Sequence, residues 1–321
     1  MPSAPSICFF SENGFSGRVP RDHPNMRTEF AWICSLDAVH HPIHDIHNIK
    51  ENSFDFGIFI IPKNLEHLIN YPLMAELKRA CRKVAFMQEG PNWHWQDYSI
   101  DIQKWFLSLM DGSDFIFVHN TSDLNYYSGL TSKECFVMPS LIIEDSISNL
   151  PSPNRENVII GGNFCSWYGG HDSYIASKSL DCERFSTSMG RIRDGEHGFK
   201  DLKHLPFLSW RDWMHSLNNF KYGIHLMRTH AAGTFALNCA YLGIPCVGYY
   251  GLDSQELCHP DLTVDIGNLK LAKEKLLRLQ DDAGFHQECS DSAKVNYKKY
   301  FSEESYLLKM SKAFSIILNE D

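Results

Sequence analysis

Long apolar segments are missing from this sequence, which has no run of about 18 consecutive apolar residues. A helix that crosses a membrane needs roughly that length, so none is expected. The N-terminal stretch MPSAPSICFFSENG has neither a basic start nor a long apolar core, and a signal peptide is therefore not expected. These features favour a cytoplasmic protein.

Paired cysteine and zinc motifs are also absent. The ten cysteines form no CxxC pair. Several lie in apolar runs, where a cysteine behaves as a small buried hydrophobe, namely Cys8, Cys81, Cys135, Cys239 and Cys246. Reduced thiols are therefore expected. The cluster His40, His41, His44 and His47 matches no zinc ligand pattern, and a solvated loop is favoured over a metal site.

Positive charge is scarce, because 30 Lys and Arg stand against 39 Asp and Glu and the net charge is −9. Affinity for nucleic acid comes mainly from neutralising backbone phosphates. Broad nonspecific binding to DNA or RNA is therefore not favoured, although the net charge does not exclude a local basic groove.

What the sequence does contain is an alternation of strands and helices. A chain of 321 residues predicts one large or two medium domains. Continuous apolar runs such as FDFGIFIIP (54–62) are typical of strands buried on both faces of a parallel sheet. Further strands are predicted at 6–10, 83–90, 113–120 and 134–140, and helices at 26–36, 65–81, 100–112 and 121–130. The pattern predicts an α/β fold with a doubly wound parallel sheet.

The polar segment EDSISNLPSPNRE (144–156) carries two prolines and predicts a linker. The alternation then restarts. Strands are predicted at 157–164, 182–187, 221–227 and 246–250, and helices at 174–180, 208–220, 234–242, 269–282 and 303–318. Two α/β sheets of similar size predict a cleft between domains, with ligands at the carboxyl ends of strands.

The most informative segment is GTFALNCAYLGIPCVGYYG (233–251). It predicts a helix from Thr234 to Leu242, a break at Gly243 and an apolar strand. The start of a helix presents unpaired N–H groups and a partial positive charge, which suits a phosphate. Gly233 favours close approach of a ligand, and the Thr234 hydroxyl would contact it. The alternative is that Thr234 is an ordinary N-cap.

This segment, with HLMRTHAAG (225–233) before it and the loop LDSQELCHPDLTV after it, resembles the donor-binding domain of GT-B glycosyltransferases. NVIIGGNFCSWYGG resembles the strand and loop that open that domain in many members, and AKVNYKKYFSEESYLLKMSKAF resembles their closing helices. The resemblance names no subfamily. It implies two Rossmann-like domains facing a central cleft. Residues 1–148 would bind the acceptor, 149–302 the nucleotide sugar, and the helix at 303–321 would pack back on the first domain.

One departure limits the resemblance. Many retaining members carry two glutamates around the phosphate-binding loop, and the matching positions here are His230 and Asn238. Neither is acidic, so the stereochemistry of transfer is not inferred. His230 is predicted to donate to a sugar hydroxyl or a phosphate, while Asn238 would do so or pack inside the helix.

Further donor candidates are cationic or lie in turns. Arg228 ends a buried strand, and a guanidinium can bind two phosphate oxygens. Arg191 and Arg193 form a second cationic group in the loop SMGRIRDGEHGFK, where a solvated loop is the alternative. Asp253 and Gln255 follow VGYYG and are predicted to bind sugar hydroxyls, with surface-turn chemistry as the alternative.

On the acceptor side, MQEGPNWHWQD (87–97) follows a buried strand. Glu89 is predicted to be the general base that deprotonates the acceptor hydroxyl, with His94 and Asp97 as alternatives for this role. Trp93 and His94 are predicted to contact the acceptor. Alternatively, Glu89 caps the following turn, and Trp93 and Trp95 belong to the core.

The first loop supplies the remaining candidates. Gly14, Gly17 and Arg18 resemble the glycine-bearing acceptor loop of the family. Asp22 is a second candidate for the base.

The sequence therefore predicts a metal-independent glycosyltransferase that uses a nucleotide sugar such as a UDP-sugar as co-substrate and no other cofactor. No DxD pair stands in a plausible metal-binding setting. The acceptor is a glycan, polysaccharide or other hydroxyl compound, with a hydroxymethylated DNA base as a minority interpretation. A nucleotide-sugar 2-epimerase and a non-catalytic nucleotide-sugar-binding module are the alternatives.

Overall fold

The computed structural model describes residues 5–61, 68–69, 71–88, 90–147, 149–165, 167–187, 195–230 and 232–318. The chain divides into two compact units. The first unit comprises Met1–Arg21, Thr28–Pro139 and Tyr306–Asp321, and the second comprises Asp22–Arg27 and Ser140–Ser305. The domain limits given by the sequence stay a prediction.

The first unit contains a parallel six-stranded sheet in the order β2-β1-β3-β4-β5-β6. Its strands are β1 (Ile7–Ser11), β2 (Val39–Pro42), β3 (Phe54–Ile60), β4 (Cys81–Met87), β5 (Phe115–Val118) and β6 (Cys135–Val137). Its helices include α1 (Thr28–Ser35), α2 (Leu73–Ala80), α3 (Ile100–Gly112) and α4 (Thr121–Leu130). The order of strands reverses beside β1, where an α/β sheet of this kind opens a crevice at the carboxyl ends of its strands.

The second unit contains another parallel six-stranded sheet, in the order β12-β11-β10-β7-β8-β9. Its strands are β7 (Glu156–Ile160), β8 (Arg184–Ser186), β9 (Leu202–His204), β10 (Phe220–His225), β11 (Cys246–Tyr249) and β12 (Thr263–Val264). Its helices are α5 (Gly170–Ser177), α6 (Trp210–Leu217), α7 (Thr234–Leu242), α8 (Asp253–Cys258), α9 (Leu269–Asp281) and α10 (Ala283–Phe301). This order is that of a Rossmann sheet, with its switch point between β7 and β10.

Helix α11 (Glu303–Leu318) closes the described chain, and its residues from Tyr306 onward belong to the first unit. Phe314 lies on the first sheet, with its ring 5.1 Å from that of Phe56 and 6.2 Å from that of Phe117. None of the helices within the described ranges is long and apolar enough to cross a membrane.

The sequence pattern and local capping explain several element limits. At the N-cap of α3 the Ser99 side chain accepts a hydrogen bond from the N–H of Ile102, and at the N-cap of α4 the Asn120 side chain accepts one from the N–H of Asp123. Helix α7 ends at Gly243 in the left-handed conformation, as the sequence predicts.

The two sheets and their alternating helices confirm the predicted α/β fold. The ten cysteines are free thiols. Cys135 is only half-buried, whereas the other four cysteines predicted in apolar runs are buried.

Three local predictions are wrong. His40 and His41 do not lie in a solvated loop but in β2, and His40 is 0% exposed. The polar segment 252–264 is not a loop throughout, because it forms α8 and β12. The short edge strand β9 lies in a region for which no strand was predicted. Each of these elements carries polar residues, which hide the apolar pattern that predicts strands and helices.

Candidate functional site

The site is built at the switch point of the second unit, where β7 and β10 end side by side. These strands pair in parallel, with Ile160 opposite Ile224. The chain leaves β7 toward α5 and leaves β10 toward α7, so both helices begin at the carboxyl edge of the sheet. That edge is where Rossmann sheets bind their ligands.

The turn that connects β7 to α5 contains Gly161, Gly162 and Gly169, together with the larger side chains of Phe164, Trp167 and Tyr168. A Cβ atom on Gly162 would lie 2.0 Å from the carbonyl oxygen of Tyr168. One on Gly169 would lie 1.8 Å from the carbonyl oxygen of Leu226, just after β10. Gly169, with φ of +66°, is also the N-cap of α5. The backbone of this turn therefore packs directly against the end of β10, which only glycine permits.

Arg228 follows β10 and is anchored by Asp172 in the first turn of α5. Its Nε and one terminal nitrogen donate to Asp172 Oδ2 at 3.1 and 2.8 Å. The Tyr249 hydroxyl, at the end of β11, donates to the same oxygen at 3.1 Å. The Arg228 side chain is 53% exposed, whereas that of Asp172 is 11% exposed. The carboxylate is thus a buried anchor for a guanidinium that stays open to solvent.

Electrostatics fixes the charge of each member of this group. Burial alone would raise the pKa of Asp172, but hydrogen bonds from Arg228 and Tyr249 outweigh it and the pKa is lowered. Burial and the neighbouring Asp172 charge raise the pKa of Tyr249 to about 12. The hydrogen bond to Asp172 raises the pKa of Arg228. At neutral pH Asp172 is ionised, Tyr249 keeps its proton and Arg228 is charged.

The N-terminus of α7 lies after Arg228 in the chain and lacks a side-chain cap. Gly233 is the N-cap, with φ of +58°, and makes no capping hydrogen bond through a side chain. Thr234 is the first helical residue, so the interpretation of Thr234 as N-cap is wrong. The first turn contains no acidic residue. Its N–H groups and partial positive charge therefore meet no acidic side chain from their own turn and suit a bound phosphate.

His230 lies in the loop between Arg228 and Gly233. A Cβ on Gly251 would lie 1.9 Å from His230 Nε2, so this edge of the ring packs against the Gly251 backbone. Burial lowers the pKa of His230, and the nearby Asp253 charge opposes that change. The ring is therefore neutral at neutral pH and joins the loop before α7 to the loop after β11.

Two residues that were predicted to bind the nucleotide sugar form hydrogen bonds within the protein instead. Asn238 is 3% exposed. With its amide oriented to satisfy both neighbours, it donates to the Thr234 carbonyl at 2.9 Å and accepts from Trp213 Nε1 at 3.0 Å. Gln255 is 1% exposed and donates to the Cys246 carbonyl at 3.0 Å. These contacts favour a packing role for Asn238 and Gln255, whereas Asp253 is half-buried at the start of α8.

The structure therefore brings Arg228, His230, Gly233 and Thr234 to one edge of the second sheet, with Asp253 near His230. The predicted base Glu89 and the cations Arg191 and Arg193 lie outside the described residues.

The predicted acceptor residues of the first loop are in the first unit. Gly14 is exposed, and Gly17, with φ of +110°, pairs through its backbone with His40. Arg18 forms an exposed ion pair with Asp37.

Asp22 and the segment after β4 complete the predicted acceptor set. Asp22 is exposed and belongs to the second unit, where its carbonyl accepts from Arg211. Trp93 is half-buried in the first unit, and His94 Nε2 lies 3.3 Å from the Tyr98 hydroxyl. Trp95 is in the core, stacked on Phe106 at 4.9 Å between ring centroids, as the packing alternative predicts.

The residues that anchor Arg228 could not be predicted from the sequence. Asp172 and Tyr249 lie 56 and 21 positions from Arg228, and only the sheet brings them together. The sequence does contain one indication of Asp172. It follows the glycine pair Gly169 and Gly170, so it is an acidic residue in the first turn of the helix after β7. Within the described ranges, no group of three or more His, Cys, Asp or Glu residues is placed to hold a metal ion.

Comparison with known proteins identifies the architecture. No protein-family model matches the sequence, and no curated protein is similar to it in sequence. HepE from Anabaena, solved in complex with UDP and glucose, matches with a TM-score of 0.70 at 10% identity, over 97% of this chain and 99% of that chain.

Two further solved structures show the same fold. An alpha-glucosyltransferase in complex with UDP and a 13-mer DNA containing an HMU base matches with a TM-score of 0.62 at 13% identity, over 98% of this chain and 99% of that chain. TarM matches with a TM-score of 0.64 at 13% identity over 84% of this chain, and this chain spans 57% of TarM. The fold is therefore GT-B, with two Rossmann-like α/β units.

Proposed function

We propose that this protein is a glycosyltransferase that moves a sugar from a nucleoside diphosphate sugar, such as a UDP-sugar, to a hydroxyl of an acceptor. The observation that carries the proposal is the position of Arg228, which Asp172 anchors at the switch point of a Rossmann sheet before the uncapped start of α7. The GT-B fold and the UDP named with two of its structural neighbours support it.

Arg228 and α7 would stabilise the leaving group. When the sugar departs, the nucleoside diphosphate gains negative charge, and groups aimed at that charge lower the barrier. A guanidinium and the N–H groups of a helix start are both suited to phosphate oxygens.

Asp172 would keep Arg228 in place before the ligand arrives. Both Asp172 hydrogen bonds use one side of the guanidinium, from Nε and a single terminal nitrogen. An arginine whose rotamer is already fixed loses less conformational entropy when it binds a phosphate. Asp172 offsets part of the positive charge, so we infer that its main contribution is to position Arg228.

The remaining chemistry is proposed from the sequence. Glu89, or else Asp22, would take the proton of the acceptor hydroxyl as it attacks the sugar. The reaction in this scheme uses neither a divalent ion nor a further cofactor. We propose a glycan or another small hydroxyl compound as the acceptor, because a net charge of −9 does not favour DNA.

A thermal-shift titration with UDP, GDP, ADP, dTDP and their sugars tests the donor site. A nucleotide at about 100 times its Kd stabilises the folded protein by roughly 2.7 kcal/mol. We expect one nucleotide class to raise Tm in the wild type and to lose that effect in Arg228→Ala. Arg82→Ala is the matched control, because Arg82 also pairs with an aspartate but lies in the first unit.

Absence of any shift, or an equal loss in Arg82→Ala, would contradict the donor site. Product analysis with the sugar nucleotide that binds then distinguishes the three candidate functions. Transfer to an added glycan supports the transferase, turnover without an acceptor supports an epimerase, and binding without turnover supports a non-catalytic module.

A further inference from the structure

Three polar side chains, two of them buried and one partly buried, meet at the carboxyl end of β1 in the first unit, and none was predicted as a site residue. Ser11 ends β1, His40 lies in β2 and Glu29 lies in the first turn of α1. The Ser11 hydroxyl donates to Glu29 Oε1 and lies 2.9 Å from His40 Nε2. Nε2 also lies 3.3 Å from Glu29 Oε1. The Glu29 side chain is 15% exposed, and that of His40 is fully buried.

His40 holds residues 12–17, which we call the glycine loop, at several points. Its Nδ1 bonds the carbonyl oxygen of Phe15, and the Phe15 ring lies 6.1 Å from the imidazole. Its backbone exchanges two hydrogen bonds of 2.9 Å with Gly17. Through Ser11, whose oxygen accepts the Asn13 N–H at 3.1 Å, the cluster reaches the start of the loop as well. The loop is therefore folded around the His40 ring.

The arrangement differs from that of a nucleophilic Ser–His–acid group. In such a group the carboxylate orients the far ring nitrogen, and the serine oxygen is open to substrate. Here the carboxylate lies on the serine side, the far nitrogen bonds a backbone carbonyl, and Ser11 is 2% exposed. The geometry therefore points to positioning and not to nucleophilic attack.

The hydrogen bonds of the cluster need one more proton than a neutral imidazole, a serine hydroxyl and a carboxylate would supply. The Phe15 carbonyl can only accept, so His40 Nδ1 carries a proton. If the single Ser11 proton goes to Glu29, Nε2 must also carry a proton and the ring is an imidazolium. If the Ser11 proton goes to Nε2 instead, Glu29 must be protonated to bond Ser11. Nε2 also lies 3.3 Å from Glu29 Oε1, a contact that a proton on Nε2 would serve and a bare nitrogen lone pair would not, so the geometry favours the proton on the ring.

We propose that His40 is a positioning residue, which Glu29 and Ser11 keep as an imidazolium and which fixes the glycine loop for acceptor binding. The acceptor role rests on the proposed transferase function, whereas the charge state and the loop contact do not. The titratable groups near the ring include Glu29 on α1 and His41, which is the next residue of β2. Burial and the charge of His40 lower the pKa of His41, and the charge of Asp45 opposes this change.

The Glu29→Gln variant tests the shared proton by nitrogen NMR of the histidine rings. A glutamine amide can donate to Ser11 Oγ, whose proton then turns to Nε2, so all bonds persist with a neutral ring. We expect His40 to show protons on both ring nitrogens in the wild type at pH 7 and on Nδ1 alone in Glu29→Gln. His44→Gln, at an exposed neighbour, is the control and leaves the His40 signals unchanged. A singly protonated wild-type ring overturns the imidazolium.

The His40→Leu variant tests the contact with the loop by amide hydrogen exchange. Losing the bond to Phe15 should speed exchange at Asn13 and Gly17 by about tenfold, whereas His44→Leu should leave both unchanged. Glu29→Gln should also keep the loop protected, so it remains informative if His40→Leu does not fold. Unchanged exchange in a folded His40→Leu overturns the positioning role.

Steady-state kinetics then tests the link to the acceptor. We expect His40→Leu to raise the acceptor KM by about tenfold while the Kd for UDP stays at the wild-type value. Equal weakening of both would mean a general loss of structure and overturn the acceptor role. A wild type that binds UDP and transfers to no acceptor overturns the proposed function instead, and the proton and exchange measurements still decide what His40 does.

Discussion

Single residues in this fold are constrained mainly by close backbone approach and by burial of polar groups. Gly251 illustrates the first constraint, because it combines a φ of +118° with a Cβ position only 1.9 Å from His230 Nε2. Gly267 has a φ of +86° but nothing within 4 Å of its Cβ position. A substitution at Gly267 therefore measures the cost of a positive φ alone, whereas one at Gly251 adds the cost of a steric clash.

We expect Gly251→Ala to lower the free energy of unfolding by about 1–3 kcal/mol more than Gly267→Ala does. The difference reflects displacement of the His230 ring, and urea unfolding of both variants at pH 7 measures it. Adding His230→Ala to Gly251→Ala should recover most of the difference. If both glycine variants cost the same, the contact between His230 and Gly251 is not formed in solution.

Buried histidines illustrate the second constraint. Burial lowers the pKa of His225 to about 4, and His225 lies at the end of β10 with its ring 5.3 Å from that of Phe235. Burial likewise lowers the pKa of His259 to about 4, despite a hydrogen bond to the Ala236 carbonyl. Both rings are neutral in the folded protein near neutral pH.

These shifts predict a loss of stability in mild acid. An unfolded histidine binds a proton below about pH 6.5, whereas the folded one does so only near pH 4, so the unfolded state binds more protons in between. We expect each histidine to lower the free energy of unfolding by about 1.4 kcal/mol per pH unit in that window. Urea unfolding at pH 7 and pH 5 checks this, and His225→Phe should show a smaller loss than the wild type. An equal loss would contradict the assignment to His225.

Helix ends in the second unit are held together by one arginine. Arg155 donates to the carbonyl of Asn218, at the C-cap of α6, at 3.2 Å, and to that of Gly243, after α7, at 3.0 Å. It also reaches the Leu242 carbonyl at 2.5 Å. A cation at two helix C-termini satisfies carbonyls that have no partner within the helix and interacts favourably with both dipoles.

We expect Arg155→Met to lower the free energy of unfolding by about 2–4 kcal/mol, because the buried carbonyls of Asn218 and Leu242 lose their donor, whereas that of Gly243 keeps the Ser290 hydroxyl. Lys270→Met is the control, since Lys270 is 90% exposed on α9 and should change stability by less than about 0.5 kcal/mol. Thermal unfolding of the two variants gives the comparison. Equal stability would mean that water replaces Arg155 at these carbonyls.

Elements with strong apolar patterns could be predicted from the sequence, and those with polar patterns could not. Helix α7 begins and ends where predicted, because Gly233 and Gly243 bound a segment that contains neither Gly nor Pro. Strand β2 reads as a histidine-rich loop, since its contribution to the core depends on Ser11 and Glu29, which lie far away in sequence. The same reason hides Asp172, whereas Arg228 could be found because it follows a buried strand directly.

At the scale of the whole molecule, two sheets with parallel strands require pairing between distant parts of the chain. In the second unit β7 pairs with β10, and Glu156 lies opposite Phe220. The predicted alternation of strands and helices implies such crossovers, but it does not give the strand order or the register. Buried polar residues such as Asn238 and Gln255 have roles that only this register shows.

The return of α11 to the first unit has a consequence for biosynthesis. The ring of Phe314 packs on Phe56 and Phe117, yet it leaves the ribosome after every strand of both sheets. The first sheet therefore lacks the packing of Phe314 on Phe56 and Phe117 until α11 has been translated. Apolar surface that stays uncovered during folding makes a chain prone to aggregation, so this delay adds to the risk of misfolding during synthesis.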